Sequence, residues 1–208
     1  QRRPFTHDRD YVPYVDGKPR YDGVKSFLES RGVSLPFGPP EDAPGAETVC
    51  GIGNEKNVQF RRIVERDGVD IYDSTVAFID ALAERGVQLG VASSSKNATF
   101  ILETTGLLAR FATVVDGNTS AELGLSGKPA PDIFLTAAER LSVRPERSLM
   151  VEDAYSGVEA GRRGGFGLVI GIARSGDPEE LKRRGADIAV SDMSEFTIEQ
   201  TERWFESR

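Results

Sequence analysis

The sequence predicts an α/β protein in which a small helical domain precedes a doubly wound parallel sheet. Two observations support this fold class. From Asp73 onwards, short apolar runs alternate with segments of helical spacing, and the runs lie at 87–92, 112–115, 149–151, 168–172 and 188–190. Residues 1–72 lack such runs and are rich in proline, glycine and charge. We therefore predict a helical domain at 1–72 and an α/β core domain at 73–208.

Length and composition limit the classes of protein to which the chain can belong. Its 208 residues, 38% of them hydrophobic, suffice for one sizeable core, or for a core and a small satellite domain. A net charge of -7 argues against general attraction to nucleic acid or to an anionic membrane. The single cysteine, Cys50, excludes an internal disulfide and is typical of a reducing compartment. We therefore expect a cytoplasmic protein with neither a nucleic-acid nor a membrane partner.

The helical domain is predicted to contain helices near residues 7–15, 20–31 and 54–67. The segment 35–45 is predicted to be a loop, because its prolines and glycines interrupt regular structure. His7 is the only histidine, so this sequence offers no histidine-based triad and no histidine-rich metal site. We expect a surface or capping role for His7.

The helices of the core domain are predicted from apolar spacing and from end signals. The helix that begins at Asp73 can end at Gly86, and Asp177 can cap a helix with Pro178 at its first position. Further helices are predicted to end near 106 and 141, to begin at 154, and to span 197–206. This alternation of strands and helices is typical of a parallel sheet.

The first of three informative loops follows the strand predicted at 87–92. Loops at the carboxyl edge of an open α/β sheet are where such proteins bind their ligands. Ser93, Ser94 and Ser95 offer hydroxyl groups and amides at the start of a helix, which favours an anion. The alternative is that Ser95 only caps that helix.

The second loop contains Lys128, between Gly127 and Pro129. Proline disfavours helical backbone in the residue before it, so Lys128 is expected to be extended. A lysine held in this way can present a point charge to a phosphate group. The alternative is an ordinary solvated lysine.

The third loop begins with Glu152 and Asp153, directly after the strand predicted at 149–151. Two adjacent carboxylates repel each other by about 1 kcal/mol in water and by about 4 kcal/mol in a partly buried site. A hard cation such as Mg²⁺ would offset this repulsion, and the alternative is that Asp153 caps the next helix. Hydroxyl groups, an ammonium group and metal-binding acids in this order together indicate a phosphoryl-transfer site.

Segments 91–97, 127–134 and 151–161 resemble the second, third and fourth motifs of the haloacid dehalogenase superfamily. Within that superfamily they are most similar to the β-phosphoglucomutase-like hydrolases. The resemblance extends along nearly the whole chain, and residues 14–20 and 55–57 resemble parts of the α-helical cap of these enzymes. It implies a Rossmann-like core domain with a helical cap domain.

The resemblance also implies a role for each matching core residue. It implies that Ser93 hydrogen-bonds the transferring phosphoryl group and that Lys128 neutralises its charge. Asp153 would ligate Mg²⁺, and Glu152 would ligate it or support a ligand water. The substrate's phosphate or sugar would contact four residues of the second motif: Ser94, Ser95, Lys96 and Asn97.

From the cap, the resemblance implies that Arg20 and Lys56 hold the distal phosphate of a small sugar phosphate. We expect the segment 70–74 to be the hinge for closure of the cap.

The family's first motif, a strand followed by Asp-x-Asp, has no counterpart in this sequence. Asp8 and Asp10 have the spacing but no preceding apolar strand, so we reject them as the nucleophile pair. The missing strand is central in the family's sheet. We therefore expect roughly 30–45 further residues before Gln1, which is room for a strand, a loop and a helix. Without them, we expect the 208 residues to bind Mg²⁺ weakly and to be inactive.

The expected function is Mg²⁺-dependent phosphoryl transfer that interconverts β-glucose 1-phosphate and glucose 6-phosphate through an aspartyl-phosphate. One alternative is a sugar-phosphate phosphatase of the same superfamily. Another, from a different class, is an inactive binding module that lacks the nucleophile.

Overall fold

The computed structural model describes residues 3–174 and 176–207, which form two compact units. The first unit ends at Val69 and the second begins at Asp70. None of the helices in the described part of the chain combines the length and the hydropathy that a bilayer crossing requires.

The first unit is helical. A π-helical turn at His7–Tyr11 leads into α1 (Val12–Tyr14), and α2 (Arg20–Ser30) and α3 (Val49–Asp67) follow. The helix α3 begins earlier than the sequence predicts, because the Thr48 side chain accepts a hydrogen bond from the Gly51 N–H and so caps this end.

Asp10 has a structural environment in this unit. Its side chain is 1% exposed and pairs with Arg3 at 3.0 Å and with Arg31 at 2.8 Å. It also accepts the Thr6 N–H at 2.9 Å. Burial alone raises the pKa of Asp10, but these hydrogen bonds and positive charges bring the pKa below its usual value. Asp10 thus links Arg3 and Thr6 to Arg31, the residue that follows α2.

The second unit is an α/β structure. Its strands are β1 (Gly90–Ala92), β2 (Thr113–Val115), β3 (Leu149–Glu152), β4 (Leu168–Ile172) and β5 (Ile188–Val190). Its helices are α4 (Asp73–Glu84), α5 (Ala98–Thr104), α6 (Gly117–Leu123), α7 (Asp132–Arg140), α8 (Tyr155–Arg163), α9 (Pro178–Arg183) and α10 (Ile198–Glu206).

All strand pairs in the described residues are parallel, which confirms the predicted fold class. β1 pairs with β2, with Val91 opposite Val114. Separately, β3 pairs with β4 and β4 with β5, with Met150 opposite Val169. The described strands therefore form two groups rather than one continuous ladder.

Burial differs between strands with one neighbour and strands with two. β4 has a strand on each side, and Leu168, Val169 and Ile170 are 0% exposed. β3 has a described neighbour only on the β4 side, and Val151 is 37% exposed. A largely apolar cavity of about 740 Å³ is lined by residues of both β1 and β3, together with side chains such as Phe78. This cavity is called the inter-strand groove below.

Candidate active site

Lys128 and Glu152 form a buried ion pair at the carboxyl end of β3. The Lys128 Nζ lies 3.0 Å from Oε1 and 2.9 Å from Oε2 of Glu152. Only 7% of the lysine side chain and 10% of the glutamate side chain are exposed. The structure thus brings together two of the residues predicted from the sequence, and Lys128 is not the solvated lysine of the alternative interpretation.

The surroundings of this pair contain some groups that disfavour the charged forms of Lys128 and Glu152 and others that stabilise them. Burial raises the pKa of Glu152 above its usual value. The Lys128 ammonium lowers this pKa, and the negative charge of neighbouring Asp153 raises it. The Lys128 Nζ also lies 4.9 Å from the centre of the Phe134 ring, where a cation is attracted. The Glu152 side chain packs where a Cβ on Gly157 would have to lie, so only glycine fits there.

Asp153 is exposed and follows the pair directly. The residue that caps α8 is Ala154, without a side-chain hydrogen bond, so Asp153 does not cap this helix. Within the described ranges the Asp153 carboxylate makes no hydrogen bond or ion pair. It is therefore available to a ligand.

The acids present supply only part of a magnesium site. Mg²⁺ requires six oxygen ligands in a near-octahedral shell. Among the described residues, no group of three or more His, Cys, Asp or Glu side chains is placed to hold a metal. Glu152 directs both oxygens at Lys128, so among the residues that the structure describes Asp153 is the one of these two acids without a partner. These residues fit a magnesium ion only if further oxygen ligands come from elsewhere.

The predicted serine loop follows β1. The Ser93 N–H donates to the Val115 carbonyl at 2.9 Å, which fixes the start of the loop beside β2. The Ser93 Oγ accepts the Ser95 N–H at 3.2 Å, and the Ser95 Oγ accepts the Asn97 N–H at 3.1 Å. Asn97, not Ser95, is the cap residue of α5. Whether Ser93 and Lys128 bind one phosphoryl group stays a prediction.

Sequence reasoning missed the turn after β2. Asp116 is only 5% exposed, and its side chain accepts the N–H groups of Asn118 and Thr119 at the start of α6. An aspartate directly after an apolar strand, followed by Gly117 and Asn118, is a cap signal that could have located both α6 and this turn.

Arg20 and Lys56 lie in the helical unit. Arg20 begins α2 and donates to the Asn57 Oδ1 at 2.8 Å, and Lys56 is exposed on α3. Their predicted contact with a distal phosphate stays a prediction.

Fold and site together define an α/β core with hydroxyl, ammonium and carboxylate groups in the loops that follow its strands. The model of one family, described as haloacid dehalogenase-like hydrolase, matches residues 17–165, and the chain belongs to this family. This confirms the relationship that the three motif segments indicated.

Two relatives and one solved structure are similar to this chain. A β-phosphoglucomutase of Mycobacterium bovis is 46% identical over 196 residues, covering 93% of this chain and 75% of that protein. A trehalose-phosphate phosphatase of Mycobacterium leprae is 35% identical over 135 residues, covering 63% of this chain and 30% of that protein. The crystal structure of β-phosphoglucomutase from Clostridium difficile shares the fold, with a TM-score of 0.76, 22% identity, and coverage of 93% of this chain and 79% of that one.

Proposed function

We propose that the intact protein is a Mg²⁺-dependent β-phosphoglucomutase that interconverts β-glucose 1-phosphate and glucose 6-phosphate. The observation that carries this proposal is the 46% identity to a β-phosphoglucomutase along 93% of the chain. The buried Lys128–Glu152 pair supports it, because it fixes an ammonium group at the carboxyl end of β3, where the exposed Asp153 follows Glu152 in the chain.

In this proposal the side chains of the core divide the work of phosphoryl transfer. The Ser93 hydroxyl donates a hydrogen bond to an oxygen of the transferring group, and the Lys128 ammonium offsets the negative charge that group carries. Glu152 holds the ammonium in place through both of its oxygens. Transfer passes through an aspartyl-phosphate, in which the nucleophile forms a bond to phosphorus while the bond to the departing sugar oxygen breaks.

Magnesium is the proposed cofactor, and Asp153, with Glu152 beside it, would contribute to holding it. When bound, the ion would neutralise charge on the phosphoryl group. The remaining oxygen ligands would come from the first motif, which supplies the nucleophile in the resembling family.

The inter-strand groove supports the idea that a further strand belongs to the sheet. Among the described strands, β1 and β3 each have a ladder partner on one side only, and both line the groove. An open strand edge exposes N–H and C=O groups that pair readily with another strand. We propose that the strand of the first motif, from a segment N-terminal to Gln1, lies parallel between β1 and β3. Its carboxyl end would then present the Asp-x-Asp pair beside Ser93 and Asp153.

Substrate recognition completes the proposal. Ser94, Ser95, Lys96 and Asn97 would contact the phosphate or sugar from the core. From the helical unit, Arg20 and Lys56 would hold the second phosphate of a bisphosphate intermediate. Exclusion of water would make a sugar hydroxyl, rather than water, the acceptor of the phosphoryl group.

A sugar-phosphate phosphatase is the second candidate. The similarity to a trehalose-phosphate phosphatase over 135 residues favours it. Both candidates share the chemistry up to the aspartyl-phosphate, and they differ only in whether sugar or water accepts the phosphoryl group.

A product assay distinguishes these candidates. The intact protein, with the first-motif segment, is incubated with β-glucose 1-phosphate and Mg²⁺, and glucose 6-phosphate and inorganic phosphate are both measured. We expect glucose 6-phosphate, and we expect Asp153→Asn to lower the rate at least about 100-fold because a metal ligand is lost. The control Glu103→Gln changes an exposed acid on α5 and should leave the rate unchanged.

Inorganic phosphate as the main product would instead support the phosphatase. If the intact protein formed neither product, the inactive binding module would remain, and the proposed function would be wrong.

A further inference from the structure

We propose that the turn Asp116–Asn118 is a positioning element that holds the backbone of residues 93–96 ready to bind the substrate's phosphate. This inference rests on the proposed function, since it assigns the serine loop to phosphate binding. In this inference the three turn residues act through the loop and not on the substrate itself.

The anchor of the turn is the Asp116 carboxylate. Its Oδ1 accepts the N–H groups of Asn118 at 2.9 Å and Thr119 at 3.0 Å. Its Oδ2 accepts the Thr99 hydroxyl at 3.1 Å and the Asn118 Nδ2 at 3.2 Å. These four bonds use both oxygens of a side chain that is 5% exposed, and they join the start of α6 to α5.

From this anchor, the turn reaches the serine loop by direct backbone contacts. The Gly117 N–H donates to the Ser95 carbonyl at 3.1 Å, and the Asn118 Nδ2 donates to the Lys96 carbonyl at 3.1 Å. The Asn118 amide has two hydrogens, so it can serve the Asp116 carboxylate and the Lys96 carbonyl together. Asp116 thereby orients the group that fixes the loop.

Close packing adds a steric constraint to these hydrogen bonds. A Cβ on Gly117 would lie 2.5 Å from the Ser94 carbonyl oxygen and 2.9 Å from the Lys96 nitrogen. Both neighbours are backbone atoms, so they cannot move aside without a shift of the loop. Glycine is therefore required at this position by the approach of the loop.

These contacts order the loop before a ligand binds. A loop ordered before the ligand arrives does not have to lose conformational entropy on binding, and a displacement of about 1 Å at a reacting centre can cost about 100-fold in rate. The turn thus accounts for how a short, half-buried loop keeps its hydroxyl and amide groups in a fixed arrangement.

The test compares Gly117→Ala and Asn118→Ala with wild type, in the intact protein, with β-glucose 1-phosphate as substrate. Gly117→Ala should raise KM about 10- to 100-fold through displacement of the loop. Asn118→Ala should raise KM about 2- to 10-fold, because the side-chain hydrogen bond to the loop carbonyl of Lys96 is lost. The control Glu122→Ala alters an exposed residue of α6 and should leave KM unchanged.

A purely structural role would lower the thermal midpoint and the amount of active enzyme without changing KM, and that result would overturn the inference.

The affinity for inorganic phosphate, measured by calorimetry on the same proteins, gives a readout that needs no turnover. We expect both variants to bind phosphate more weakly than wild type. Phosphate binding of equal strength in wild type and both variants would overturn this inference but would leave the proposed function standing. An intact wild-type protein that binds phosphate but converts no sugar phosphate would overturn the proposed function, while weaker binding by the variants would still support the positioning role.

Discussion

Replacing Lys128 with methionine is expected to lower the free energy of unfolding at neutral pH by about 3–5 kcal/mol, because Glu152 is left buried without its partner. The expected loss of unfolding free energy depends on pH. Burial already raises the pKa of Glu152, and removal of the ammonium raises it further. In the variant, stability should therefore be greater at low pH, where the carboxyl is neutral in both states, and should fall as the pH rises. Urea unfolding between about pH 4 and pH 8 measures this.

The double variant Lys128→Met/Glu152→Gln is the matched control for this prediction. It removes the unpaired charge, so it should be more stable at neutral pH than Lys128→Met alone and should lose the added pH dependence. Equal stability of Lys128→Met and wild type at neutral pH would contradict the assignment of a buried ion pair.

Replacing Leu168 with alanine is expected to lower the free energy of unfolding by about 3–5 kcal/mol. Leu168 is 0% exposed in β4, the strand with a neighbour on each side, and the deletion leaves a cavity that the packed strands cannot close. Denaturant unfolding of the variant and wild type measures this difference.

Leu123→Ala is the control, with the same change of side chain at a position that is 53% exposed. We expect it to cost less than about 1 kcal/mol. Similar losses in the two variants would mean that β4 is not the centre of the core.

The sequence predicted best the elements whose signal is local. β4 and β5 lie where continuous apolar runs predict them, because a strand buried by its neighbours must be apolar throughout. β1 is shorter than the predicted 87–92: it begins at Gly90, and Val87 is 46% exposed. The length of β1 is set by the length of its partner β2, because a strand ends where its ladder partner ends. The sequence of β1 does not contain that information.

Two helices show the limits of local signals. α3 begins at Val49, although Gly51 and Gly53 disfavour a helix. The close approach of Ala46 to Gly51 and of Tyr21 to Gly53 explains these glycines, and such packing depends on the tertiary structure. α6 was not predicted, although Asp116 directly after an apolar strand is a helix-cap signal.

The candidate site was predictable in its residue types but not in its pairing. Lys128 and Glu152 are 24 positions apart, and nothing in their spacing indicates that they form an ion pair. The alternative role of Asp153 was to cap α8. That role depends on where α8 begins, and sequence patterns locate helix ends only to within a few residues. The hydrogen bonds of Asp116 needed the fold as well, since they join two helices that follow different strands.

The central claim is that Ser93, Lys128 and Asp153 act on one phosphoryl group. A crystal structure of the intact protein with tungstate, a phosphate analogue, tests this most directly. We expect one tungstate within about 3 Å of both the Ser93 Oγ and the Lys128 Nζ, at the end of a strand seated between β1 and β3, with the Asp153 carboxylate facing the same space. A tungstate bound elsewhere, or Ser93 and Lys128 facing separate regions, would contradict the account.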